Sequence, residues 1–282
     1  AAKADAKAKA KRLADAGEDD VRQLVKARVR RDKARPNADE RCEKPPAARA
    51  AAVFVALDAH TLCLFGGEHY DGRRVTVYNE MYTVQCDGAA PLGAWTLHSR
   101  SVVPPPRAAH QAVVLPRRGG EMYVFGGEYT SPSQAQFYHY GDLWLYRVST
   151  KAGSVRGVWE EVATTGAAPS PRSGHRMSAA GHSTIVVFGG FFDDGDRRVQ
   201  YMNDCYVLDV EKCVWVAVKV DSSGVSTPPP RSGFCIAPLH AIGAAATTTA
   251  TTTITATPLA LWGGFVKTLE VVERGGGGGG GG

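Results

Sequence analysis

Arginine, histidine and aromatic side chains are the residues of this chain whose types and spacing could do chemistry. Arg107, Arg172 and Arg231 each follow a proline-rich segment. A guanidinium group can bind a carboxylate through two parallel hydrogen bonds, and arginine and aromatic residues are enriched at the energetic centres of protein interfaces. Since the three arginines recur at one place in a repeated pattern, a second interpretation stays open, in which they cap the carbonyl groups of neighbouring strands.

Sequence motifs of common enzyme classes do not support a catalytic function. The chain contains no G-x-S-x-G, H-E-x-x-H or P-loop pattern, and no G-x-G-x-x-G outside its terminal glycine run. Its eight histidines show no spacing that selects a set of metal ligands. Asp193 and Asp194 lie in DDGDRR, which is more typical of a turn than of a pair of catalytic acids. The sequence therefore predicts no enzymatic activity and no cofactor.

Four segments of the sequence share one plan, and this repetition decides the expected fold class. Each segment has a proline-rich start with an arginine, an apolar run that ends in Gly-Gly, and, in the first three, an aromatic-rich loop, a second apolar run and a tryptophan. The glycine pairs begin at residues 66, 126, 189 and 263. Short strand-like runs separated by turn residues, repeated in this way, predict the four-stranded blades of a β-propeller.

Two recurring residue types have expected places in each blade. The glycine pair is expected where the second strand, B, ends and a side chain would obstruct the chain. The tryptophan is expected to open the fourth strand, D, as a large apolar anchor between blades.

The repeats resemble kelch repeats. The resemblance is carried by LFGGEHYDG, YNEMY, PPPRAAHQAVV, FGGEY followed by QFYHYGDLW, and PRSGHRM, and these segments resemble in particular the proteins called kelch domain-containing protein 4. It extends over about residues 18 to 265, including the segment from Glu18 to Arg35. The resemblance implies a six-bladed propeller, a binding rather than a catalytic role, and no known cofactor.

The predicted organisation is an all-β kelch β-propeller with an N-terminal basic α-helix. It comprises a low-complexity basic tail and amphipathic helix (1–44), blade 1 (45–99), blade 2 (100–164), blade 3 (165–220), a partial blade 4 with an Ala/Thr insertion (221–265) and a glycine-rich tail (266–282). Three complete blades and part of a fourth leave strand edges and blade faces exposed. We therefore expect a fragment of a six-bladed ring, with the missing blades supplied by the rest of a longer chain or by a second copy.

The basic character of the chain is confined to its N-terminal region. Residues 1–35 contain twelve Lys and Arg and six Asp and Glu, which leaves a net charge of about −1 on the remainder. Val21, Leu24, Val25 and Val29 fall on one face of a predicted helix. This helix is either a solvated element attached to the core or an arm that targets nucleic acid or the nucleolus. Asn37 to Pro46 is expected to be a linker.

The candidate site follows from the direction of the strands. Because consecutive strands of a blade reverse direction, the B-to-C loops and the D-to-A loops share one face of the propeller. The expected partner-binding residues on this face are Tyr70, Arg107, Tyr129, Phe137, His139, Arg172, Phe192, Arg198 and Arg231. The segment FYHY at 137–140 could instead pack on the blade edge. The recurring His110 and His175 are expected to be structural.

The expected function is that of a non-catalytic protein-protein interaction scaffold or adaptor, which holds a segment of a partner protein on this face. One alternative is a substrate receptor of a ubiquitin ligase. Another is an RNA or pre-ribosome associated factor that makes weak nucleic-acid contact through residues 1–35. Six cysteines without a C-x-x-C pair, and no apolar run of about eighteen residues, indicate an intracellular protein, cytoplasmic or nuclear, without membrane contact.

Overall fold

One helix precedes a series of mainly antiparallel sheets in the computed structural model, which describes residues 20–86, 93–151, 154–193, 199–219, 228–238 and 259–266. The helix, α1, spans Val21–Lys33, and the side chain of Asp20 caps it by accepting hydrogen bonds from two backbone N–H groups of the first turn. Arg30, Arg31 and Lys33 lie in its last turn, where positive charge is favourable. The helix predicted from the apolar spacing is therefore present.

Twenty strands follow the helix within the described residues. In blade 1 they are β1 (Ala38–Cys42), β2 (Val53–Ala56), β3 (Thr61–Phe65), β4 (Glu68–Tyr70), β5 (Val75–Val77), β6 (Met81–Gln85) and β7 (Trp95–Ser99). In blade 2 they are β8 (Gln111–Leu115), β9 (Glu121–Phe125), β10 (Glu128–Thr130), β11 (Phe137–His139), β12 (Leu143–Lys151) and β13 (Ser154–Glu161). In blade 3 they are β14 (Thr165–Gly166), β15 (Arg176–Ala179), β16 (Thr184–Asp193), β17 (Val199–Asp209) and β18 (Val214–Val218), and β19 (Ser232–Pro238) and β20 (Leu259–Phe265) belong to blade 4.

The sheets have the meander topology of propeller blades. Strands A to D are β2, β3, β6 and β7 in blade 1, then β8, β9, β12 and β13 in blade 2, and β15 to β18 in blade 3. Each strand pairs with the next along the blade in antiparallel fashion. The A strands β2, β8, β15 and β19 lie next to one another in chain order. The described chain therefore forms a fan of three complete blades and the A and B strands of a fourth.

Apolar side chains fill the two interfaces between the complete blades. One cluster joins Phe65 and Met81 of blade 1 to Tyr146 and Trp159 of blade 2, and a second joins blades 2 and 3 in the same way. The ring of Trp159 lies 4.9 Å from that of Phe65. Trp215 occupies the equivalent place in blade 3, 5.5 Å from Phe125. The tryptophans Trp159 and Trp215 of strand D thus anchor blades 2 and 3 to the preceding blade, as the repeat predicts.

The glycine pairs end strand B in a conformation that excludes side chains. Gly66 and Gly67 have φ of 67° and 93°, in the left-handed region that favours glycine. A Cβ atom on Gly67 would lie 2.7 Å from the Cβ of Ala52 and 2.8 Å from the carbonyl oxygen of Ala50. The pairs at 126, 189 and 263 have the same positive φ angles. The structure confirms why the pattern requires glycine at these positions.

The predicted linker from Asn37 to Pro46 instead contains a strand. β1 pairs antiparallel with β7, the outermost strand of blade 1, with Ala38 opposite Ser99 and Cys42 opposite Trp95. Asp39 binds the guanidinium group of Arg100 at 2.7 Å. Four of the five residues of β1 are exposed, so the strand has no apolar alternation. Backbone hydrogen bonds to β7 and the ion pair of Asp39 with Arg100 hold this strand in place. Neither interaction leaves a hydrophobic pattern in the sequence, so the strand was not predicted.

The remaining predicted segments lie partly or wholly outside the described residues. These are the tail at 1–19, the Ala/Thr insertion at 244–257 and the glycine-rich end at 267–282. Of the residues that the structure does describe, no helix combines the length and the apolar character needed to cross a membrane.

Candidate partner-binding face

The connections between strands B and C are β-ribbons rather than the loops that were predicted. After the glycine pairs the chain stays extended, so β4 pairs with β5 in blade 1 and β10 pairs with β11 in blade 2. In blade 3, β16 and β17 continue past the glycine pair with a shift of register and form the third ribbon. Ribbons hold their side chains more rigidly than loops, because backbone hydrogen bonds fix both strands.

These ribbons and the D-to-A loops lie on the same side of the fan. The backbone N–H of Val75 donates to the carbonyl of Pro132, which joins the first two ribbons at 3.1 Å. The side-chain amide of Asn79 donates to the carbonyl of Pro104 in the D-to-A loop at 3.2 Å. We call this surface the ribbon face. It consists of β4–β5, β10–β11, the outer parts of β16 and β17, and the loops at 101–107, 167–172 and 228–231.

Arg107 is buried beneath the ribbon face and ties strands together. Its guanidinium group binds both carboxylate oxygens of Asp142 at 2.8 Å and donates to the carbonyl of Gly126 at 3.0 Å. The guanidinium carbon lies 4.2 Å from the centre of the Tyr140 ring. The side chain of Arg107 has no exposed surface, and the Coulombic field and hydrogen bonds of Asp142 outweigh desolvation and raise its pKa. Arg107 therefore has no surface to offer a partner.

Of the other recurring arginines, Arg172 makes the same kinds of contact as Arg107, and Arg231 makes only some of them. Arg172 is fully buried, binds the carboxylate of Asp204 and donates to the carbonyl of Gly189 at 3.0 Å. Arg231 is half-buried and donates to the carbonyl of Gly263 at 2.9 Å, and among the described residues it has no acidic partner. Of the two roles left open by the sequence, the structure supports capping for Arg107 and Arg172. Arg231 combines a capping bond with an accessible guanidinium group.

The recurring histidines are packed between blades. His110 and His175 are almost completely buried, and the ring of His110 meets that of Phe65 edge-on at 5.3 Å. Burial, together with the charge of Arg107, lowers the pKa of His110 to about 3. Burial also depresses the pKa of His175 well below its usual value. Both rings are neutral spacers between blades.

His139 links the second ribbon to the third. Its Nε2 accepts a hydrogen bond from the backbone N–H of Asp193 at 3.0 Å, and its Nδ1 lies 2.8 Å from the Oγ of Ser173. The rings of Phe191 and Phe192 contact it at 5.7 and 4.9 Å. Burial lowers the pKa of His139 to about 4. His139 is thus a neutral, enclosed bridge, and it positions the exposed part of Phe192.

A carboxylate is enclosed beside this histidine. One oxygen of Glu128 lies 3.5 Å from Nδ1 of His139. Burial, together with the neighbouring charge of Glu68, raises the pKa of Glu128 to about 7 against a hydrogen bond from Ser173 that lowers it. Burial likewise raises the pKa of Glu68, against a hydrogen bond from the Thr130 hydroxyl that lowers it. Within the described ranges, no three His, Cys, Asp or Glu side chains converge closely enough to hold a metal ion.

The non-recurring aromatic residues supply the accessible apolar surface of the ribbon face. Tyr70 is 53% exposed on β4, and its hydroxyl donates to the carbonyl of Gly72 at 2.8 Å. Tyr129, Phe137 and Phe192 are half-buried on the second and third ribbons. Arg198, the remaining predicted residue, lies outside the described residues. The ribbon face therefore brings together Tyr70, Tyr129, Phe137 and Phe192, while His139 lies beneath it.

Helix α1 lies across the first two blades on the ribbon face, which the sequence did not predict. The backbone N–H of Val21 donates to the side chain of Gln136 at 3.1 Å. Arg28 donates to the side-chain oxygen of Asn79 at 2.9 Å, and the amide of Asn79 donates to Asp32 at 2.8 Å. Val25 and Val29 line one side of the contact. Part of the predicted partner-binding face is therefore covered by the chain itself.

The acidic partners of the arginines were also missed from the sequence, although a signal exists. Glu80 and Asp142 each precede strand C by one residue, in YNEMY and YGDLW, and Asp204 occupies the matching place in MNDCY, within β17. Glu80 binds Arg49 at 3.1 Å in the same arrangement. Because both charges recur in register, pairing each arginine with the acid of its own repeat would have identified the network.

Comparison with known proteins agrees with this geometry. The KLHDC2/KLHL20/DRC7 Kelch-repeats domain model matches residues 20–242. The chain belongs to the kelch-repeat family. Host cell factor 1 of Homo sapiens is 26% identical over 209 residues, which are 68% of this chain and 10% of that protein. Adagio protein 3 of Arabidopsis thaliana is 26% identical over 194 residues, covering 68% of this chain and 28% of that protein.

The kelch chain thus spans much less than half the length of these two curated relatives. A solved structure described as "Structure of YjhT" superposes with a TM-score of 0.45 at 16% identity, covering 69% of this chain and 55% of that one. The family assignment is carried by the repeat itself, whose glycine pairs, arginines and tryptophans are described above.

Proposed function

We propose that this kelch domain is a non-catalytic interaction scaffold that holds a segment of a partner protein on the ribbon face. The observation that carries the proposal is the group of accessible aromatic residues on the ribbons, represented by Tyr70 and Phe192. The side chains at these positions differ from blade to blade, with His69 and Tyr129 at the position of Phe192, so the repeat does not require these particular residues for its own packing. Aromatic side chains that are already held in place lose little entropy on binding and contribute strongly to interfaces.

The rigidity of the ribbon face supports this role. His139 ties the second ribbon to the third, and the bond from Val75 to Pro132 ties the first ribbon to the second. Beneath them, Arg107 and Arg172 fix the loops to strands B and C. A partner segment would therefore meet a surface that needs little reorganisation, with Arg231 as an accessible cation at one end.

We also propose that further kelch blades pack against blade 1. Its outer face carries Phe54, which is 53% exposed, with Tyr82 and Trp95 beside it. In blade 2 the corresponding Trp144 and Trp159 are buried against blade 1. The same kind of surface therefore supports the same kind of neighbour, from a longer chain or a second copy. The motifs quoted above support kelch domain-containing protein 4 as the specific relative.

Affinity purification with matched variants tests the proposed scaffold. The double variant Tyr70→Ser, Phe192→Ser removes two aromatic contacts from the ribbon face. The control, Val158→Ser, Val216→Ser, removes two exposed apolar side chains from D strands, which are 61% and 55% exposed. We expect a partner protein to be lost from the first variant and retained by the second, as measured by quantitative mass spectrometry. Equal retention by both variants would refute the proposed face.

A further inference from the structure

A cleft of about 530 Å³ lies on the ribbon face between α1 and the first ribbon. The helix contributes Leu24, Ala27, Arg28 and Arg31, whose spacing of three, one and three residues places them on one side of α1. The opposite wall is formed by the turn and strand that contain Arg74 and Val75–Val77. The docking of α1 on the ribbon therefore creates this cleft, and neither element has it alone.

The rim of the cleft carries two arginines without acidic partners. Arg28 is held by Asp32 at 3.1 Å and by Asn79 at 2.9 Å. Arg31 and Arg74 are exposed, and the part of the chain that the structure describes provides neither guanidinium group with an ion pair.

The one carboxylate in the cleft wall is already engaged by the backbone. Asp71 accepts hydrogen bonds from the N–H groups of Arg73 and Arg74, both at 2.8 Å. Those bonds hold its pKa below the usual range. The cleft thus presents net positive charge to a ligand, carried by Arg31 and Arg74.

The floor of the cleft is apolar. Val75 and Val77 are 8% and 5% exposed and pack with Ala108. Leu24 of α1 closes the floor from the other side. An apolar side chain of a ligand could therefore pack on this floor, between the guanidinium groups of Arg31 and Arg74. Such a combination favours a peptide over a nucleic acid, because Tyr129 is the one aromatic side chain among the described residues that line the cleft, whereas single-stranded nucleic acids stack on successive aromatic side chains along a continuous positive groove.

We propose that the cleft between α1 and the first ribbon binds an acidic peptide segment, in which carboxylates flank an apolar side chain. The carboxylates pair with Arg31 and Arg74, and the apolar residue rests on Leu24, Val75 and Val77. This inference rests on the proposed scaffold function, since it assigns a class of partner to part of the same face. It also gives α1 a role as one wall of the site.

Matched charge reversals test the cleft. Arg31→Glu, Arg74→Glu reverses both rim charges, while Arg30→Glu, Arg73→Glu makes the same changes at the neighbouring positions of the same helix and the same turn, outside the cleft. The probes are short fluorescein-labelled peptides with two glutamates on each side of a leucine, the same peptide with glutamines, and a single-stranded RNA oligonucleotide. Fluorescence polarisation measures binding to the whole protein.

The expected result separates the two variants. The glutamate peptide binds the wild-type protein, binding weakens as salt rises, and the Arg31, Arg74 variant loses affinity by at least about tenfold. The Arg30, Arg73 variant stays within about twofold of wild type, because these two residues lie outside the cleft. It is a matched control since it changes the net charge by the same amount. The glutamine peptide binds much more weakly than the glutamate peptide.

Several outcomes would overturn the cleft assignment. These are no binding of the glutamate peptide to wild type, equal losses in the two variants, equal binding of the glutamine peptide, or binding of RNA in place of the peptide. Partner capture that needs Tyr70 and Phe192 but ignores Arg31 and Arg74 would reject the cleft and keep the scaffold. Capture that depends on none of these residues would reject both.

Discussion

The guanidinium group of Arg107 binds both carboxylate oxygens of Asp142 at 2.8 Å, while the backbone N–H of Arg107 donates to the carbonyl of Tyr78 in the preceding blade at 3.0 Å. One residue thus joins strand C of its own blade to the neighbouring blade. Arg172 repeats the arrangement with Asp204 and with the carbonyl of Tyr140. The ribbon face lies over this row of ion pairs, whose arginine side chains are fully buried.

Removing a buried arginine from this row is expected to destabilise the fold. Arg107→Met leaves Asp142 without its cation, so we expect the free energy of unfolding to fall by about 3–5 kcal/mol. Arg231→Met removes a half-buried arginine whose hydrogen bonds go to backbone carbonyls, without an acidic partner among the described residues, and we expect the free energy of unfolding to fall by less than about 1 kcal/mol. Urea unfolding of both variants measures the difference. Similar losses would show that the ion pair does not stabilise the blades.

The second glycine of each pair is required by a close approach as well as by its backbone angle. A Cβ atom on Gly127 would lie 2.6 Å from the Cβ of His110 and 2.7 Å from the carbonyl oxygen of Ala108. Gly72 has nearly the same φ, 94° against 91°, with nothing within 4 Å. We expect Gly72→Ala to lower the free energy of unfolding by about 1–2 kcal/mol, from backbone strain alone.

We expect Gly127→Ala to lower the free energy of unfolding by about 4 kcal/mol or more, because backbone atoms must move apart to make room for the methyl group. This loss is several kcal/mol larger than that of Gly72→Ala. Thermal or urea unfolding compares the two variants directly. Equal costs would mean that the blades tolerate a methyl group at this contact.

Glu128 makes a contribution to the free energy of unfolding that decreases as the pH rises. Burial raises its pKa in the folded state to about 7, above its ordinary value. A carboxyl with a raised folded pKa stabilises the fold at a pH below its unfolded pKa, and this contribution is lost as the pH rises through the folded pKa. The window therefore runs from about pH 4.5 to somewhat above pH 7.

Glu128→Gln tests this window, since glutamine resembles the protonated carboxyl. We expect similar stability of the two proteins near about pH 5, and an advantage of the variant by about 2–3 kcal/mol near about pH 8. Chemical unfolding at both pH values measures the difference between the proteins. A difference that does not change with pH would show that Glu128 is not protonated in the fold.

His110 has the opposite pH dependence. Because burial lowers its pKa in the folded state to about 3, the unfolded chain takes up a proton first as the pH falls. Its neutral ring therefore favours the fold above the ordinary histidine pKa, and this contribution is lost as the pH falls from about 6.5 towards about 3.

His110→Phe removes this dependence with a residue that the fold already accepts. Phe234 occupies the equivalent position in blade 4 and is buried. Between about pH 7 and pH 4 we expect the wild-type protein to lose about 3 kcal/mol more than the variant. Parallel losses in the two proteins would show that the His110 ring is protonated, or accessible to water, in the folded state.

The repeat could be predicted from the sequence because its signals are tied to covalent geometry and burial. Gly126 needs its positive φ, and Trp159 needs an apolar neighbour, so both types recur at fixed places. The positions of β1 and α1 could not be predicted in this way. Exposed backbone pairing holds β1, and the contact of α1 depends on Asn79, a single polar residue far away in the sequence.

The location of the candidate site could be predicted from the sequence, but which of its residues are exposed and which are buried could not. The shared face of the ribbons and D-to-A loops follows from the alternation of strand direction, and the exposure of Tyr70 follows from its place in a non-recurring segment. The burial of Arg107 and His139 could not be read from residue type, since both types occur at interfaces and in cores. Their roles depend on Asp142 and Ser173, which lie about 35 residues further along the chain.

Site-specific photo-crosslinking tests the central claim most directly. A photoreactive phenylalanine analogue is placed at Tyr70, at Phe192 and, as a control, at the exposed Val158 on strand D. The ribbon face predicts that the first two positions crosslink to the same partner protein and that the third does not. Crosslinks from position 158 with none from positions 70 and 192 would contradict it.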